Sequence, residues 1–352
     1  MATVLSTSRL PVRVLRVGPI SLAVPLRSAL SCLGLLVALL CAALASLVLG
    51  EIQVGLPRVL LTVTGEGLPV EELIVQDIRL PRVLVGGLVG AALAMSGALF
   101  QTITRNPLGS PDVIGFEAGA ATGGLVALLV LDGGIGAAAS GAVVGGGVTA
   151  AVVYGLAMRH GVDALRLVLV GIGIGAMLLS VNSLLITTSR IYDAQSAAVW
   201  LVGSLDGSTW DQAAVLAVVL LVVGGAALLL SRPLRLAELT DDSATGLGLA
   251  TERSRLLAVV VGVLLAATAV AAAGPVAFIA LSAPQVARRL TGASGPNLVA
   301  SALTGALLLV LADHAARELF QPRMVAVGVM TGLVGGLYLA WLLTREWRKG
   351  RA

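Results

Sequence analysis

The sequence predicts an all-α membrane protein of about ten transmembrane helices, and three observations carry that prediction. Apolar residues make up 57% of the 352 and charged residues 12%, with a mean hydropathy of +1.00. A soluble domain of this length cannot enclose so much apolar surface in one core, whereas lipid can solvate it from outside. Apolar runs of about 20 residues recur, the length that carries a helix across a hydrocarbon layer of roughly 30 Å. Short strands of alternating polarity are missing from the pattern, which argues against a membrane β-barrel.

The first span is expected over 28–50, behind Arg9, Arg13, Arg16 and Arg27. It is longer than the core of a cleaved signal peptide and lacks a small-residue cleavage site, so it reads as a helix that stays. Four arginines with no acid place the N-terminus in the cytoplasm. Further spans are expected at 83–104, 113–131, 134–158, 165–188, 212–231, 255–275, 281–290, 297–318 and 324–343. The eighth is too short to cross unless its neighbours bury it. Ten spans return the C-terminus to the inside, where Arg345, Arg348, Lys349 and Arg351 agree with it. The organisation is then an N-terminal cytoplasmic segment over 1–27, one membrane domain over 28–345 and a cytoplasmic tail over 346–352.

Several chemistries are excluded. There is no Walker A sequence, so this chain does not hydrolyse ATP by a P-loop mechanism. The run Gly171-Ile-Gly173-Ile-Gly175 lies inside an apolar span with no strand before it, which rules out a dinucleotide loop. His160 and His314 are far apart, and no Cys/His metal cluster is present. Cys32 and Cys41 share the first span and read as lipid-facing or packed small residues. The net charge of +4 is spread over segment ends, which is no nucleic-acid signature. No bound cofactor is expected.

Small-xxx-small pairs recur at Gly86 and Gly90, Gly141 and Gly145, Gly171 and Gly175, and Gly332 and Gly336, where helices can approach closely. Gly97 and Pro107, ten residues apart, are echoed by Gly274 and Pro284. If they mark two repeats separated by an odd number of spans, those repeats are inverted.

Two polar stretches interrupt the membrane pattern. The outer connection over 51–82 is rich in acids, including Glu66, Glu71, Glu72 and Asp77. The inner loop over 232–254 reads as two short helical pieces around Gly246 and Gly248, with Asp241 and Asp242 placed to start the first. It suits the docking of a soluble partner, or serves as a solvated connector.

Four places carry candidate chemistry. Arg79-Leu-Pro81-Arg82 opens the second span, with two arginines opposing the helix dipole on the side where basic residues are sparse. They need an acidic partner, in the 51–77 stretch or on another protein. Arg317 could join them, or pair with Asp313 one turn earlier. At the other end of that span, Arg105-Asn106-Pro107-Leu108 breaks the helix, as a tight turn or as a constriction at the inner mouth. Glu117 is a carboxylate inside a span, a pathway or gate candidate unless it meets the interface.

These residues resemble a known family. Arg79 to Arg82, Gly90 to Gly97, and Arg105-Asn-Pro-Leu108-Gly-Ser-Pro111 look like the permeases of iron–siderophore, haem and cobalamin ABC importers, the FecCD type. Gly274-Pro-Val-Ala-Phe278 through Pro284 to Arg288, and Asp313 to Arg317, resemble their second half. The wording is most like the catecholate-type ferric siderophore (enterobactin-type) permeases. The resemblance implies a BtuC-like fold with inverted repeats. It also implies two ATPase subunits, a second permease copy or paralogue and an extracytoplasmic substrate-binding protein, in the bacterial inner membrane. By position it makes Arg79, Arg82 and Arg317 the docking residues for that binding protein. Asn106 and Leu108 become the cytoplasmic gate, and Asp241, Asp242, Gly246, Gly248 and Leu249 the loop seated on the ATPase. Gln285, Ala280 and the Gly335-Gly-Leu-Tyr338 stretch depart from the family pattern. A different class, the ion-coupled secondary transporter, would need coupling carboxylates, for which Glu117 is the candidate.

Overall fold

The computed structural model describes residues 12–17, 20–50, 52–158, 164–237, 246, 251–320 and 325–349. Among them, seven helices are long and apolar enough to cross a membrane, and two shorter apolar helices join them. In chain order the elements are β1 (Val12–Val17), β2 (Ile20–Pro25), α1 (Leu26–Val48), α2 (Leu56–Val63), α3 (Pro69–Ile103) and α4 (Phe116–Val130). Then follow α5 (Ile135–Ala157), α6 (Ala164–Thr188), α7 (Ile191–Leu201) and α8, which runs from Trp210–Val219 through Leu220–Gly224 into Gly225–Ala237. The last are α9 (Thr251–Ala273), α10 (Ile279–Thr291), α11 (Leu298–Glu318) and α12 (Val327–Lys349).

Each of the ten expected spans has a helix, but α3 begins at Pro69 rather than at 83, so the later part of the connection expected over 51–82 is helical and continuous with the span. Four elements were not expected. β1 and β2 pair antiparallel within the segment read as a simple N-terminal lead, from Val12 opposite Pro25 to Val17 opposite Ile20. α2 forms inside the acidic connection. α7 stands in what reads as a loop after the fifth span: Asp193 sits in its first turn, Ala197 is buried and Ile191 and Tyr192 are exposed.

The fold is built around α3. Every residue from Val89 to Ile103 is buried, and a helix apolar on all sides is one enclosed by others. α11, α9 and α10 pack against it. Close approach is possible because the contact residues lack side chains. A Cβ on Gly90 would overlap the backbone of Gly305 in α11, and one on Gly97 would overlap Ala280 in α10. The pairs expected in α5 and α6 act likewise: Gly141 and Gly145 lie against Gly123 and Gly119 of α4, and Gly171 and Gly175 against Ile114 and Gly115. Gly332 and Gly336 in α12 face open space, so that pair is not a packing seam. By contrast α1 turns Leu30, Leu33, Val37 and Leu40 outward, an apolar belt suited to lipid. Cys32 and Cys41 are free thiols on this helix, Cys41 exposed.

The Gly–Pro echo does not mark equivalent places. Gly97 is inside α3, whereas Gly274 lies just past α9 with a φ of +69°. A better correspondence is the entry to the two short helices. Gly115 before α4 (φ 82°) and Phe278 before α10 (φ 69°) are both left-handed. Each follows a long central helix, α3 or α9. These are the second and seventh spans, five apart, so they run in opposite senses through the membrane.

Candidate functional site

Arg79 and Arg82, a third of the way along α3, meet the end of α11, and the structure gives all three expected arginines partners within the chain. Arg79 is 6% exposed. Its guanidinium donates to the carbonyls of Leu47 (2.6 Å), Val48 (3.4 Å) and Ile52 (2.6 Å), satisfying groups left open where α1 ends. The partner was expected to be an acid, but it is backbone, so Arg79 shapes this rim rather than offering a free charge. Arg82 makes a bidentate contact with Asp313, Nε to Oδ2 at 3.0 Å and Nη2 to Oδ1 at 2.9 Å, and its Nη1 reaches the exposed Asp206 at 3.1 Å. Arg317 Nε lies 3.3 Å from Asp313 Oδ2, the one-turn pairing weighed from sequence. Its Nε and Nη2 nevertheless lack a hydrogen-bond partner. One buried carboxylate thus sits between two guanidiniums, with a second acid at the surface.

At the opposite end of α3 the Asn-Pro break forms a tight turn. α3 ends at Ile103, and Arg105 takes a left-handed φ of 49°. The Asn106 amide donates to Gln101 O (3.2 Å), while Asn106 Oδ1 accepts from the Leu108 amide (2.9 Å), an Asx turn. Pro107 and Leu108 are exposed. The turn is seated on α10: Gln285 Nε2 donates to Pro107 O at 2.8 Å. Gln101 ties the two helices again, donating to Leu281 O at 2.9 Å and accepting from Arg288. Gln101 and Gln285 were visible as polar residues in apolar surroundings, but their mutual use was not.

Glu117 lies in the first turn of α4, 5% exposed, so it is buried rather than interfacial. It borders a cavity of about 540 Å3 between α4 and α6, with Asp112 and Asn182 also on the wall. Glu117 Oε1, Asp112 Oδ1 and both amide atoms of Asn182 are buried without a hydrogen-bond partner. Asn182, in α6, was missed because an uncharged amide does not interrupt a hydropathy pattern. Of the expected coupling loop, Asp241, Asp242, Gly248 and Leu249 lie outside the described residues, and Gly246 is exposed and helical.

Residues 36–345 match the FecCD transport family. The chain is 44% identical over 323 residues to the ferric enterobactin transport system permease protein FepG of Escherichia coli, covering 92% of this chain and 98% of that one. It is 37% identical to the achromobactin transport system permease protein CbrC of Dickeya dadantii, across 78% of this chain and 79% of that one. In structure it is similar to a metal-chelate type ABC transporter solved in an inward-facing conformation. The TM-score is 0.79 at 28% identity, covering 90% of this chain and 99% of the other. With a pinned turn at the end of α3 and an arginine cluster ahead of its buried stretch, this multi-pass membrane chain belongs to the FecCD transport family of transporter permease subunits.

Proposed function

We propose that the chain is the permease of an ATP-driven importer carrying an iron–siderophore complex across the bacterial cytoplasmic membrane. The observation that carries this reading is the match to ferric enterobactin permease along 98% of that protein's length. The N- and C-termini lie in the cytoplasm on this reading, as the basic N-terminal segment and tail require. The arginine cluster then faces outward and the Asn106–Leu108 turn inward. A binding protein loaded with chelate docks through acids that reach Arg82 and Arg317, on a rim that Arg79 holds in shape. Arg317 brings orphaned donors to that meeting. Two ATPase subunits seat against the 232–254 loop and consume ATP. A second permease, a copy or a paralogue, completes the pathway, which passes the cavity beside Glu117. Movement of the ATPases opens the two mouths in alternation.

The test is uptake of 55Fe-labelled chelates into proteoliposomes holding this permease with its partner permease and ATPase, fed by the binding protein. Ferric enterobactin uptake that requires ATP hydrolysis is expected. Uptake that persists with a hydrolysis-dead ATPase, and falls with the proton gradient or in Glu117→Gln, would instead mark an ion-coupled carrier. Preference for haem or cobalamin in the same assay would change the cargo and keep the mechanism.

A further inference from the structure

The turn over Asn106–Leu108 has a fixed shape, and α10 helps hold it in place. Its hydrogen bonds to Gln101 O, to Asn106 Oδ1 and from Gly109 to Asn106 O stay within the turn and the end of α3. They set its shape. The seat comes from α10, through Gln285 Nε2 on the carbonyl of Pro107. Proline leaves that carbonyl as the residue's one backbone hydrogen-bonding group, and the Gln285 amide meets it. Gln285 is 6% exposed, away from water that would compete for the bond.

α10 is itself held from several directions. Arg27 of α1 donates to Leu290 O and Arg289 O, both at 2.9 Å, and Ser31 donates to Leu290 O at 3.1 Å. Arg289 lies over the rings of Tyr338 and Trp341 in α12, at 5.9 and 5.3 Å. Gln101 joins α10 to α3. At the other end, α10 leads back to the 274–278 segment. There Gly274 packs on the carbonyl of Trp200 in α7, and the Ser204 amide donates to Ala273 O at 2.8 Å. One short helix therefore connects the loop after α7 to the turn at the far end of α3.

We infer that Gln285 is a positioning residue of the inner gate. It fastens the Asn106–Leu108 turn to α10, so that the turn moves only when α10 moves. This rests on the reading of that turn as the gate. The chemistry required is a buried donor at the end of a side chain. Leucine removes the donor, glutamate keeps the shape but offers an acceptor to an acceptor, and histidine restores an N–H.

The test uses the complete reconstituted transporter with Gln285→Leu, Gln285→Glu and Gln285→His. Chelate moved per ATP hydrolysed is expected to fall about tenfold in the leucine and glutamate variants, the scale of one well-made hydrogen bond. The histidine variant is expected to recover most of it. In a cysteine-free background, Leu108→Cys is expected to react with a maleimide several-fold faster when combined with Gln285→Glu than alone, without nucleotide. Leucine, glutamate and histidine behaving alike, with unchanged labelling of position 108, would overturn the assignment. If the leucine variant does not assemble, the glutamate–histidine pair decides. A wild-type complex that carries no iron chelate would defeat the transport reading, and the labelling comparison would still judge the latch.

Discussion

Removing Asp313 would leave Arg82 and Arg317 facing each other without the carboxylate that lies between them. Breaking a buried pair by deleting one partner costs about 3–5 kcal/mol, because the remaining charge stays desolvated. Asp313→Ala is therefore expected to lower the thermal unfolding midpoint of the detergent-solubilised protein by several degrees, and Asp313→Asn by less. The same arginines are expected to act in docking. Arg317→Glu should weaken binding-protein association at least tenfold at low salt, with the difference shrinking at high salt. Titration with a labelled binding protein measures this, and equal affinities would remove Arg317 from the docking surface. The arginines themselves were legible in the Arg79-Leu-Pro-Arg82 motif. So was the one-turn pairing of Arg317 with Asp313. The other partners were not: Asp313 is 231 residues from Arg82, and charge pairing looks for acids where Arg79 uses carbonyls.

Among the helices, side-chain volume at a few glycines decides whether the bundle closes. Gly97→Val would push against the Ala280 backbone, which cannot give way as a flexible side chain would. Overpacking of a close helix crossing costs about 1–3 kcal/mol or more, so a sharp drop in folded yield on size exclusion is expected. Gly336→Ala meets nothing within 4 Å and should hold or slightly raise the unfolding midpoint, since alanine loses less entropy in a helix. The two substitutions look alike in sequence, both falling in small-residue patterns. Spacing alone marked four such pairs without saying which faced a neighbour. The spans were legible because crossing lipid demands a long apolar run, although α3 extends well beyond the expected start. α7 and the β1–β2 hairpin escaped notice because elements outside the spans obey no such rule. α7 has the mixed polarity of a loop, and the hairpin lies among arginines that were read for their charge.

For the whole chain, the proposed orientation makes a direct claim about access. With Cys32 and Cys41 replaced by alanine, Gly246→Cys is expected to react with a membrane-impermeant maleimide in inside-out vesicles only. Glu66→Cys, exposed in the stretch between α2 and α3, is expected to react in intact spheroplasts only. Both reacting from one side would overturn the ten-span topology. The inverted halves were foreseen from a Gly–Pro echo that turned out to fall on unlike positions. The better signal, a left-handed residue before a short helix, is a backbone property shared by Gly115 and Phe278, two residue types that no sequence comparison would pair. The enclosure of α3 from Val89 to Ile103 bears also on how the protein is made. Its covering helices α9, α10 and α11 are synthesised long after it, so α3 must wait in the bilayer with Gly90 and Gly97 bare until the second half arrives. The first half made alone has no native resting state, and quality control should meet it as an unfinished protein.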